Sequence, residues 1–432
     1  MISVFWFRRD LRLDDNKALN QALKSKLKVL PIFIFDSNIT NELPTTDPRI
    51  NFIYNQLSDI NKELLLYNSS LHVLCGDPEK IFKDLLIKYP IKKVFFNRDY
   101  EPYAISRDKK IRNLLNKNKV ETFDFKDQVI FEKDEIIKAD GNPYTVFTPY
   151  KNKWLQNITK PEFICEKLTN TNHFLSEQVR FPSLNDLGFH KSHINVKAFD
   201  LSKLESYPEK RNFPAEDSTT YLGPHLRFGT VSIRRIWQFI QKGNDVFKSE
   251  LIWREFFMQI LFHFPNVVDH NFKQKYNGIN WRNNDIEFDL WTQGKTGYPM
   301  VDAGIRELNQ TGYMHNRVRM VVASFLVKHL LIDWKWGEAF FAQKLLDYEL
   351  SSNNGNWQWV AGTGCDAAPY FRVFNPHEQL KKFDHDLLYS QKWIPELNTE
   401  EYPKPIIEHK LARERCLKTY KQGIFKSPHT IL

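Results

Sequence analysis

The first 125 residues alternate short apolar runs with stretches in which apolar residues recur every three or four positions. Apolar runs of about four to eight residues are typical of buried strands, whereas the wider spacing is typical of helices. This alternation predicts an α/β domain with a mostly parallel sheet. The predicted strands are Ser3–Phe7, Val29–Phe35, Leu71–Cys75, Val94–Asn97 and Val120–Phe125. The helices predicted between them are Lys17–Lys24, Asp47–Tyr67, Pro78–Tyr89 and Ile105–Asn118.

Beyond residue 213 the apolar residues keep helical spacing, which predicts an all-α domain. Before it, prolines and turn signals such as Asp140–Pro143 interrupt the periodicity and predict a connecting segment. Short helices are expected there near Lys151–Leu155 and Ser183–Leu187. The predicted domains are therefore 1–126, 127–205 and 206–425. The helices predicted in the last domain are Ser232–Gln241, Asp245–Phe264, Gly304–Asn309, His315–Trp334, Glu338–Leu346 and Lys410–Tyr420.

The composition narrows the functional class only slightly. A net charge of +9 is compatible with a nucleic-acid partner, although no long basic run occurs. The four cysteines are far apart, which argues against a disulfide framework or a zinc site. Charged residues near the start argue against a signal peptide, and no apolar run is long enough to cross a membrane. A cytoplasmic monomer without a metal ion is therefore expected.

The segment Gly297–Pro376 is unusually rich in Asn, Gly, Asp and Trp. Asn and Gly disfavour helices, so its second half is expected to contain irregular backbone surrounded by aromatic rings. Irregular buried backbone needs hydrogen-bond partners, and a polar planar cofactor could supply them. A loop capped by core tryptophans is the alternative that the residues leave open.

Several long motifs of this chain resemble those of the cryptochrome/DNA photolyase family, most closely the class I cyclobutane pyrimidine dimer photolyases. The resemblance covers nearly the whole chain in order. It implies a Rossmann-like α/β antenna domain, although no GxGxxG follows a strand, and then an all-α FAD-binding domain. The motifs are Trp6–Asn16, Tyr221–Gly229, Glu250–Phe256, Thr296–Ala303, Gly312–Arg317 and Asp347–Arg372.

The resemblance implies that FAD is held in the helical domain. Hydroxyls and backbone N–H groups before a helix suit its phosphates. The amide of Asn353 can bond the reduced, protonated ring nitrogen without titrating. Arg319 and Asp347 are expected to form a buried ion pair beside the ring, which would tune the flavin rather than stabilise the fold. The implied FAD contacts are Tyr207, Thr219, Thr220, Tyr221, Leu222, Gly223, Arg319, Asp347, Glu349 and Asn353.

The resemblance also implies a pocket for a cyclobutane dimer flipped out of UV-damaged DNA. Trp253, Trp359 and Met320 can supply flat apolar walls, and Asn316 can supply polar contacts. Glu250 is expected to be buried, which would favour its protonated form and let it donate a hydrogen bond. The implied catalytic and DNA-binding residues are Glu250, Trp253, Arg254, Asn316, Arg317, Met320, Trp359 and Gln379.

Three tryptophans, Trp281, Trp334 and Trp357, match the electron-transfer chain of the family. The implied mechanism is electron transfer from light-excited reduced FAD to the dimer, whose ring then splits. Any one of these indoles, considered alone, would be interpreted as core packing. Their joint match favours a route by which oxidised flavin is reduced.

Two related functions are weighed against dimer repair. Enzymes for the (6-4) photoproduct carry a histidine pair where this chain has Asn316 and Met320. Many cryptochromes, which are blue-light photoreceptors, carry a long C-terminal tail that is not expected here. A flavoprotein that only binds DNA is a third alternative.

An antenna chromophore is the least determined prediction. Folate-binding relatives have an Asn-Glu pair where this chain has Tyr103-Ala104. Glu101-Pro102-Tyr103 is more similar to members that bind a deazaflavin, so a deazaflavin or another flavin-like pigment is favoured over folate. This chain also departs from the common pattern at Glu349, where an Asp is frequent, at Asn356 and at Cys365.

Overall fold

A computed structural model describes residues 1–158, 165–240 and 243–426 of the protein. Its internal packing separates two compact units, each built from several chain segments. The predicted boundaries 1–126, 127–205 and 206–425 follow chain order rather than these units and stay a prediction. The first unit comprises Met1–Glu135, Trp154–Phe199 and Tyr221–Gly243, and the second comprises Ile136–Lys153, Asp200–Thr220 and Asn244–Leu432.

Among the described residues, the first unit contains one sheet of five parallel strands in the order β3-β2-β1-β4-β5. The two strands β1 and β2 are buried along almost their whole length, as expected where helices cover both faces of a sheet. The predicted parallel sheet is confirmed, and the strand ends shift by at most three residues. The strands are β1 Ile2–Phe7, β2 Lys28–Asp36, β3 His72–Gly76, β4 Ile91–Asn97 and β5 Glu121–Phe125.

Polar side chains begin most of the helices between these strands. Asp47 accepts a hydrogen bond from the backbone N–H of Arg49 (2.8 Å), and Asp77 accepts one from Lys80 (3.0 Å). Such caps satisfy first-turn donors that have no partner within the helix. The helices are α1 Lys17–Lys24, α2 Ser37–Thr40, α3 Pro48–Leu65, α4 Pro78–Lys88 and α5 Pro102–Lys117.

The segment Tyr221–Gly243 belongs to the first unit because a buried arginine ties it there. The guanidinium of Arg234 contacts Asp15 at 3.0 Å and Asp127 at 2.7 Å. Burial raises the pKa of Asp127, but Arg12 and Arg234 outweigh burial and hold that pKa below its usual range. Gln241, the predicted end of the helix Ser232–Gln241, lies outside the described residues. The helices that follow β5 along the chain, up to the end of this segment, are α6 Phe147–Asn157, α7 Tyr207–Lys210, α8 Leu222–Phe228 and α9 Ile233–Phe239.

The rest of the second unit is helical, as predicted. Its apolar core is formed largely by two of these helices, α12 and α13, together with the chain that follows them. None of the described helices combines the length and apolar character needed to cross a membrane. The helices are α10 Asp245–His263, α11 Asp285–Thr292, α12 Pro299–Thr311, α13 Asn316–Ser324, α14 Trp334–Lys344, α15 Leu350–Ala361, α16 Pro376–Phe383, α17 Leu388–Trp393 and α18 His409–Lys426.

The prediction of one continuous helix over His315–Trp334 is wrong. After α13 the backbone widens into a π-helix over Phe325–Leu330, and Leu331 ends it with a left-handed φ of 52°. Within the π-helix the buried amine of Lys328 donates hydrogen bonds to the carbonyl oxygens of Ala361 (2.9 Å) and Tyr370 (3.1 Å). These tertiary bonds are invisible to apolar periodicity, which continues through the change of helix type.

The prediction of irregular backbone in the second half of Gly297–Pro376 is confirmed for residues 362–375 but is wrong for the stretch before them, because α15 spans Leu350–Ala361. Two of its polar side chains are used in packing. Asn354 and Gln358 both donate side-chain hydrogen bonds to the carbonyl oxygen of Val267, each at 2.9 Å. Tertiary bonds thus override the low helix propensity of Asn and Gly in this stretch.

Candidate active site

Helix α10 carries three of the predicted pocket residues, Glu250, Trp253 and Arg254, within about one turn. The indole of Trp253 lies parallel to the ring of Phe147, with centroids 3.7 Å apart and planes inclined by 8°. A second ring, that of Phe257, lies 5.4 Å from the same indole. This packing holds the indole in one orientation, so α10 presents a flat apolar wall.

The prediction that Glu250 is buried is wrong, because its side chain is partly exposed. Its carboxylate forms an ion pair with Arg211 at 2.7 Å, and the two side chains are 33% and 24% exposed. Tyr207, which the resemblance assigns to the FAD phosphates, lies close enough for both charges of this pair to shift its pKa. Burial and then Glu250 raise the pKa of Tyr207 to about 12, against a smaller opposite effect of Arg211. The structure therefore groups Tyr207 with a residue predicted to contact the lesion.

Helix α13 begins with the side chain of His315, whose Nδ1 accepts a hydrogen bond from the backbone N–H of Arg317 at 3.2 Å. The guanidinium of Arg317 donates to Asn212 Oδ1 at 2.7 Å and lies 3.7 Å from the sulfur of Met320. Asn316 is exposed at the first position of the helix. The N-terminal turn of α13 therefore presents an amide, a guanidinium and a thioether together.

Positive charge accumulates around Arg317. Burial, Arg211 and Arg372 all lower its pKa, so these guanidinium groups are near enough to repel one another. Arg317 also lies 4.4 Å above the ring of Phe383. Next to Arg372 the ring of Phe371 is 60% exposed. Two guanidinium groups that each repel Arg317, and the exposed ring that neighbours Arg372 in the chain, favour an anionic partner.

Trp359 and Gln379 are partly buried on α15 and α16. No hydrogen bond, ion pair or ring contact within the described ranges joins either of them to the predicted residues of α10 or α13. Their place in the predicted pocket therefore stays a prediction.

Two ion pairs involve the residues predicted to hold the flavin. Arg319 contacts Asp347 at 3.0 Å, so the predicted pair forms, and the two side chains are 27% and 22% exposed in the protein alone. Arg254 contacts Glu349 at 3.2 Å, and this second pair is the more buried one. It joins a residue predicted for the lesion to one predicted for the flavin, which places the two predicted sites side by side.

The side chain of Asn353 is oriented by Glu338. Its amide nitrogen donates to Glu338 Oε1 at 2.8 Å and to the carbonyl oxygen of the same residue at 3.1 Å. Burial raises the pKa of Glu338, against a smaller opposite effect of its bond with Asn353. Since both amide hydrogens are engaged, the carbonyl oxygen of Asn353 is the group that it offers to a ligand.

Buried polar groups beside the predicted flavin residues lack partners. Ser218 directly precedes Thr219 in the chain, and Ser351 lies two residues before Asn353. Both are buried without a hydrogen bond in the part of the chain that the structure describes. Such groups are costly unless a ligand or water bonds them. Ser218 Oγ, the two guanidinium–carboxylate pairs and the Asn353 oxygen supply donors and acceptors that fit FAD, whereas Ser351 lines a separate small cavity with Phe257 and Gln358.

The predicted phosphate-binding residues Thr219, Thr220, Tyr221, Leu222 and Gly223 lead directly into helix α8, which begins at Leu222. Tyr221 has a left-handed φ of 54° and immediately precedes helix α8.

The three predicted electron-transfer tryptophans share one apolar cluster. Trp357 and Trp334 are almost fully buried, and Trp281 is partly exposed at the edge of the cluster. The nearest aromatic partner of Trp357 is Phe341, with ring centroids 5.0 Å apart. The Trp281 ring lies 5.9 Å from Tyr420. Trp281, the predicted surface end of the path, is thus the most exposed of the three.

In the first unit, charged side chains gather beyond the carboxyl ends of β1, β2 and β4, where open parallel sheets bind ligands. Arg9 contacts Asp99 at 3.2 Å and Glu101 at 3.1 Å. The hydroxyl of Tyr103 donates to Asp36 at 2.6 Å. Glu101 and Tyr103, which suggested a flavin-like antenna, therefore lie among other polar groups at this end of the sheet.

Several residues of this arrangement were missed in the sequence. Phe147, Arg211, Asn212 and Glu338 act through tertiary contacts with residues far away in the chain, and no local pattern marks them. Phe371 was detectable only as part of a longer motif. Of the described residues, no group of three or more His, Cys, Asp or Glu could hold a metal ion.

Two family models match the chain. The model for DNA photolyase matches residues 3–168. The model for the FAD binding domain of DNA photolyase matches residues 247–400. The chain belongs to the photolyase/cryptochrome family. Deoxyribodipyrimidine photo-lyases of Synechococcus sp. and Agrobacterium fabrum are 34% and 35% identical to it, over 97% and 96% of this chain and 96% and 97% of theirs.

Solved structures of family members are also similar. A class III photolyase from Agrobacterium tumefaciens is 33% identical with a TM-score of 0.87, covering 98% of this chain and 97% of its own. An archaeal photolyase from Sulfolobus tokodaii with two FAD molecules is 35% identical with a TM-score of 0.86, covering 98% and 100%. A cryptochrome from Synechocystis is 26% identical with a TM-score of 0.85, covering 97% and 99%.

These similarities confirm the predicted family, the α/β-then-helical fold and the FAD-binding domain. They confirm a photolyase-type enzyme, with damaged DNA as its partner, at the level of the family. The likeness to class I stays a prediction, since one similar structure is a class III photolyase. The monomeric state and the cytoplasmic location also stay predictions.

Proposed function

We propose that this protein splits cyclobutane pyrimidine dimers in UV-damaged DNA in a light-dependent reaction with bound FAD. The observation that carries the proposal is the Trp253 indole, fixed against Phe147 at 3.7 Å, with Glu250 three positions earlier on the same helix. A flat apolar wall beside a polar group suits a pyrimidine dimer extruded from the duplex. When bound and excited, reduced FAD supplies the electron for ring opening.

The residues around this wall support binding of a DNA strand. Arg211, Arg317 and Arg372 provide positive charge for phosphates, which positions the duplex without reading its sequence. The exposed ring of Phe371 is suited to fill the space that an extruded lesion leaves in the base stack, as apolar wedges do in other DNA complexes. Asn353, oriented by Glu338, offers an acceptor to the flavin.

The cyclobutane substrate is favoured by the first turn of α13. Asn316 and Met320 stand where enzymes for the (6-4) photoproduct carry histidines. An amide and a thioether offer a hydrogen bond and an apolar contact but no proton transfer near neutral pH. These properties suit the electron-driven ring opening of a cyclobutane dimer.

The test is a repair assay with the FAD-containing protein and two DNA substrates, one with defined cyclobutane dimers and one with (6-4) photoproducts. We expect blue light and a reductant to remove only the cyclobutane dimers. Trp253→Leu should lower repair about five- to a hundredfold without loss of flavin, since stacking on a base contributes about 1–3 kcal/mol. Trp336→Leu, outside the predicted pocket, is the matched control.

Absence of light-dependent dimer loss with the wild-type protein would refute the proposal. Repair of (6-4) products alone would assign the other substrate.

A blue-light photoreceptor is the second candidate, supported by the similarity to the Synechocystis cryptochrome. Light-driven flavin reduction without repair of either lesion, measured in the same samples, would favour this function.

We also propose a flavin-type antenna in the first unit. The polar groups beyond β1, β2 and β4 support it, as does the second FAD of the Sulfolobus tokodaii photolyase. Chromophores released by denaturation should include a second flavin-like pigment besides FAD. Extraction of FAD alone in equimolar amount would contradict this part of the proposal.

A further inference from the structure

The second unit contains a cavity of about 180 Å³ that none of the roles above uses. It lies between the chain preceding α11 and the C-terminal helix α18. Pockets for drug-sized ligands are about 300–1,000 Å³, so this cavity suits a smaller molecule. The polar lining residues are Asn280, Arg282, Arg415, Thr419 and Gln422.

The cavity carries positive charge that the protein does not neutralise. Arg282 is paired with Glu287 at 2.6 Å. Arg415 has no carboxylate within 4.0 Å in the described ranges, and its Nε is buried without a hydrogen bond. Among the described residues, its guanidinium donates one hydrogen bond, from Nη2 to the carbonyl oxygen of His329 at 2.5 Å. Two guanidinium groups therefore face the cavity with one carboxylate between them, and an anion would complete the charge balance.

The pKa of Arg415 agrees with this geometry. Burial and then Arg282 lower it, and Glu287 opposes them only in part. His329 adds no competing positive charge, because burial and neighbouring cations lower its pKa to about 3. The electrostatic environment of Arg415 is thus that of a cation lacking its counter-ion.

The cavity adjoins Trp281. Asn280 and Arg282 flank this residue in the chain and both line the cavity. On the opposite wall, Thr419 precedes Tyr420, whose ring lies 5.9 Å from the Trp281 indole. An anion bound here would therefore lie beside the most exposed of the three predicted electron-transfer tryptophans.

We propose that this cavity binds a small anionic reductant and positions it to donate an electron to Trp281. The inference rests on the proposed light-dependent function with FAD and on the predicted electron path through Trp357, Trp334 and Trp281. In the step, an enediolate reductant such as ascorbate loses one electron to the oxidised Trp281 radical cation. Trp281 returns to its neutral form, the reductant becomes its one-electron-oxidised radical, and its proton passes to water.

The experiment uses the FAD-containing protein and measures the rate of light-driven flavin reduction against reductant concentration. We expect saturation with ascorbate, competition by inorganic phosphate, and a linear dependence without competition for the neutral reductant dithiothreitol. Arg415→Gln should weaken ascorbate binding about ten- to a hundredfold, since a hydrogen bond to a charged group contributes about 1.5–3 kcal/mol.

Gln422→Glu provides a second variant that does not disturb a buried group, because Gln422 is exposed at the cavity edge. It should weaken ascorbate binding by repulsion. Lys418→Gln makes the same change in net charge on an exposed part of α18 outside the cavity and should leave the ascorbate response unchanged. Calorimetric titration with phosphate in the dark should give the same order of affinities.

Equal ascorbate kinetics in the wild type and in both cavity variants would overturn the inference. So would a loss of DNA affinity in these variants with unchanged reductant kinetics, which would assign the cavity to a DNA phosphate. Failure of the wild type to photoreduce with any reductant would instead count against the proposed electron path, and the dark titration would still test the anion site.

Discussion

At Asn353 the chemistry of the site depends on a single orientation. An amide can present either hydrogens or an oxygen to a ligand, and Glu338 uses both hydrogens. The sequence could identify Asn353 through its motif. It could not reveal which end of the amide faces the flavin, because Glu338 lies on another helix and belongs to no recognisable pattern. At the scale of single residues, the identity of a site residue could be predicted, but its hydrogen-bond partner could not.

His315 illustrates how one buried group sets a dependence on pH. Burial, followed by the charges of Arg319, Arg317 and Arg211, lowers its pKa from 6.5 to about 4. The unfolded chain therefore binds a proton at a pH where the folded protein does not. The stability that this group contributes is complete above pH 6.5 and is lost as the pH falls towards 4.

We predict that His315→Asn flattens the decrease in the free energy of unfolding between pH 6.5 and 4. The slope should fall by up to about 1.4 kcal/mol per pH unit, since one proton is no longer taken up. Asn retains an acceptor for the first turn of α13. Urea unfolding at several pH values measures the effect, and His385→Asn, at a side chain 82% exposed, is the control. An unchanged slope would mean that His315 is not held neutral.

At the scale of elements, the strands were predicted more accurately than the helices. Strand β1 is buried throughout, so its apolar run is continuous and unambiguous. The helices near the site depend on contacts instead. Bonds from Lys328 accompany a π-helix in one apolar stretch, and bonds from Asn354 and Gln358 stabilise α15 in a stretch of poor helix formers. These contacts join residues tens of positions apart, which explains why local propensity failed there.

The close approach of α10 and α15 leads to a prediction for Gly355. A methyl group added there would lie 2.2 Å from the Phe257 ring, which itself packs against Trp253. We expect Gly355→Ala to destabilise the protein by about 1–3 kcal/mol, although Ala favours helices by about 1 kcal/mol over Gly. Asn356→Ala, at the exposed neighbouring position, should have little effect. A higher melting temperature for Gly355→Ala would show that the helices tolerate the methyl group.

At the scale of the whole molecule, the compact units are made of interleaved chain segments. The predicted fold, an α/β part followed by a helical part, is confirmed, but segments of the second unit precede the last segment of the first. No local signal reveals this path. The buried contacts of Arg234 with Asp15 and Asp127 make Tyr221–Gly243 part of the first unit, and these contacts span more than a hundred residues.

We predict that Arg234→Met destabilises the protein by about 3–5 kcal/mol, because it leaves Asp15 buried without its ion pair and Asp127 with Arg12 as its remaining partner. The loss should appear as a lower urea midpoint in far-UV circular dichroism. Arg235→Met is the matched control, since Arg235 is 57% exposed and exposed ion pairs contribute little. Equal midpoints for the two variants would contradict the role assigned to Arg234.

The position of Arg234 in the chain also governs how the protein can fold during its synthesis. The ribosome completes all five strands about a hundred residues before it adds Arg234. At about 5–20 residues per second, this interval lasts on the order of 5–20 s. During that time the nascent sheet holds Asp15 without its guanidinium partner. We therefore expect the N-terminal half to remain incompletely folded, and dependent on chaperones, until the segment that carries Arg234 has emerged.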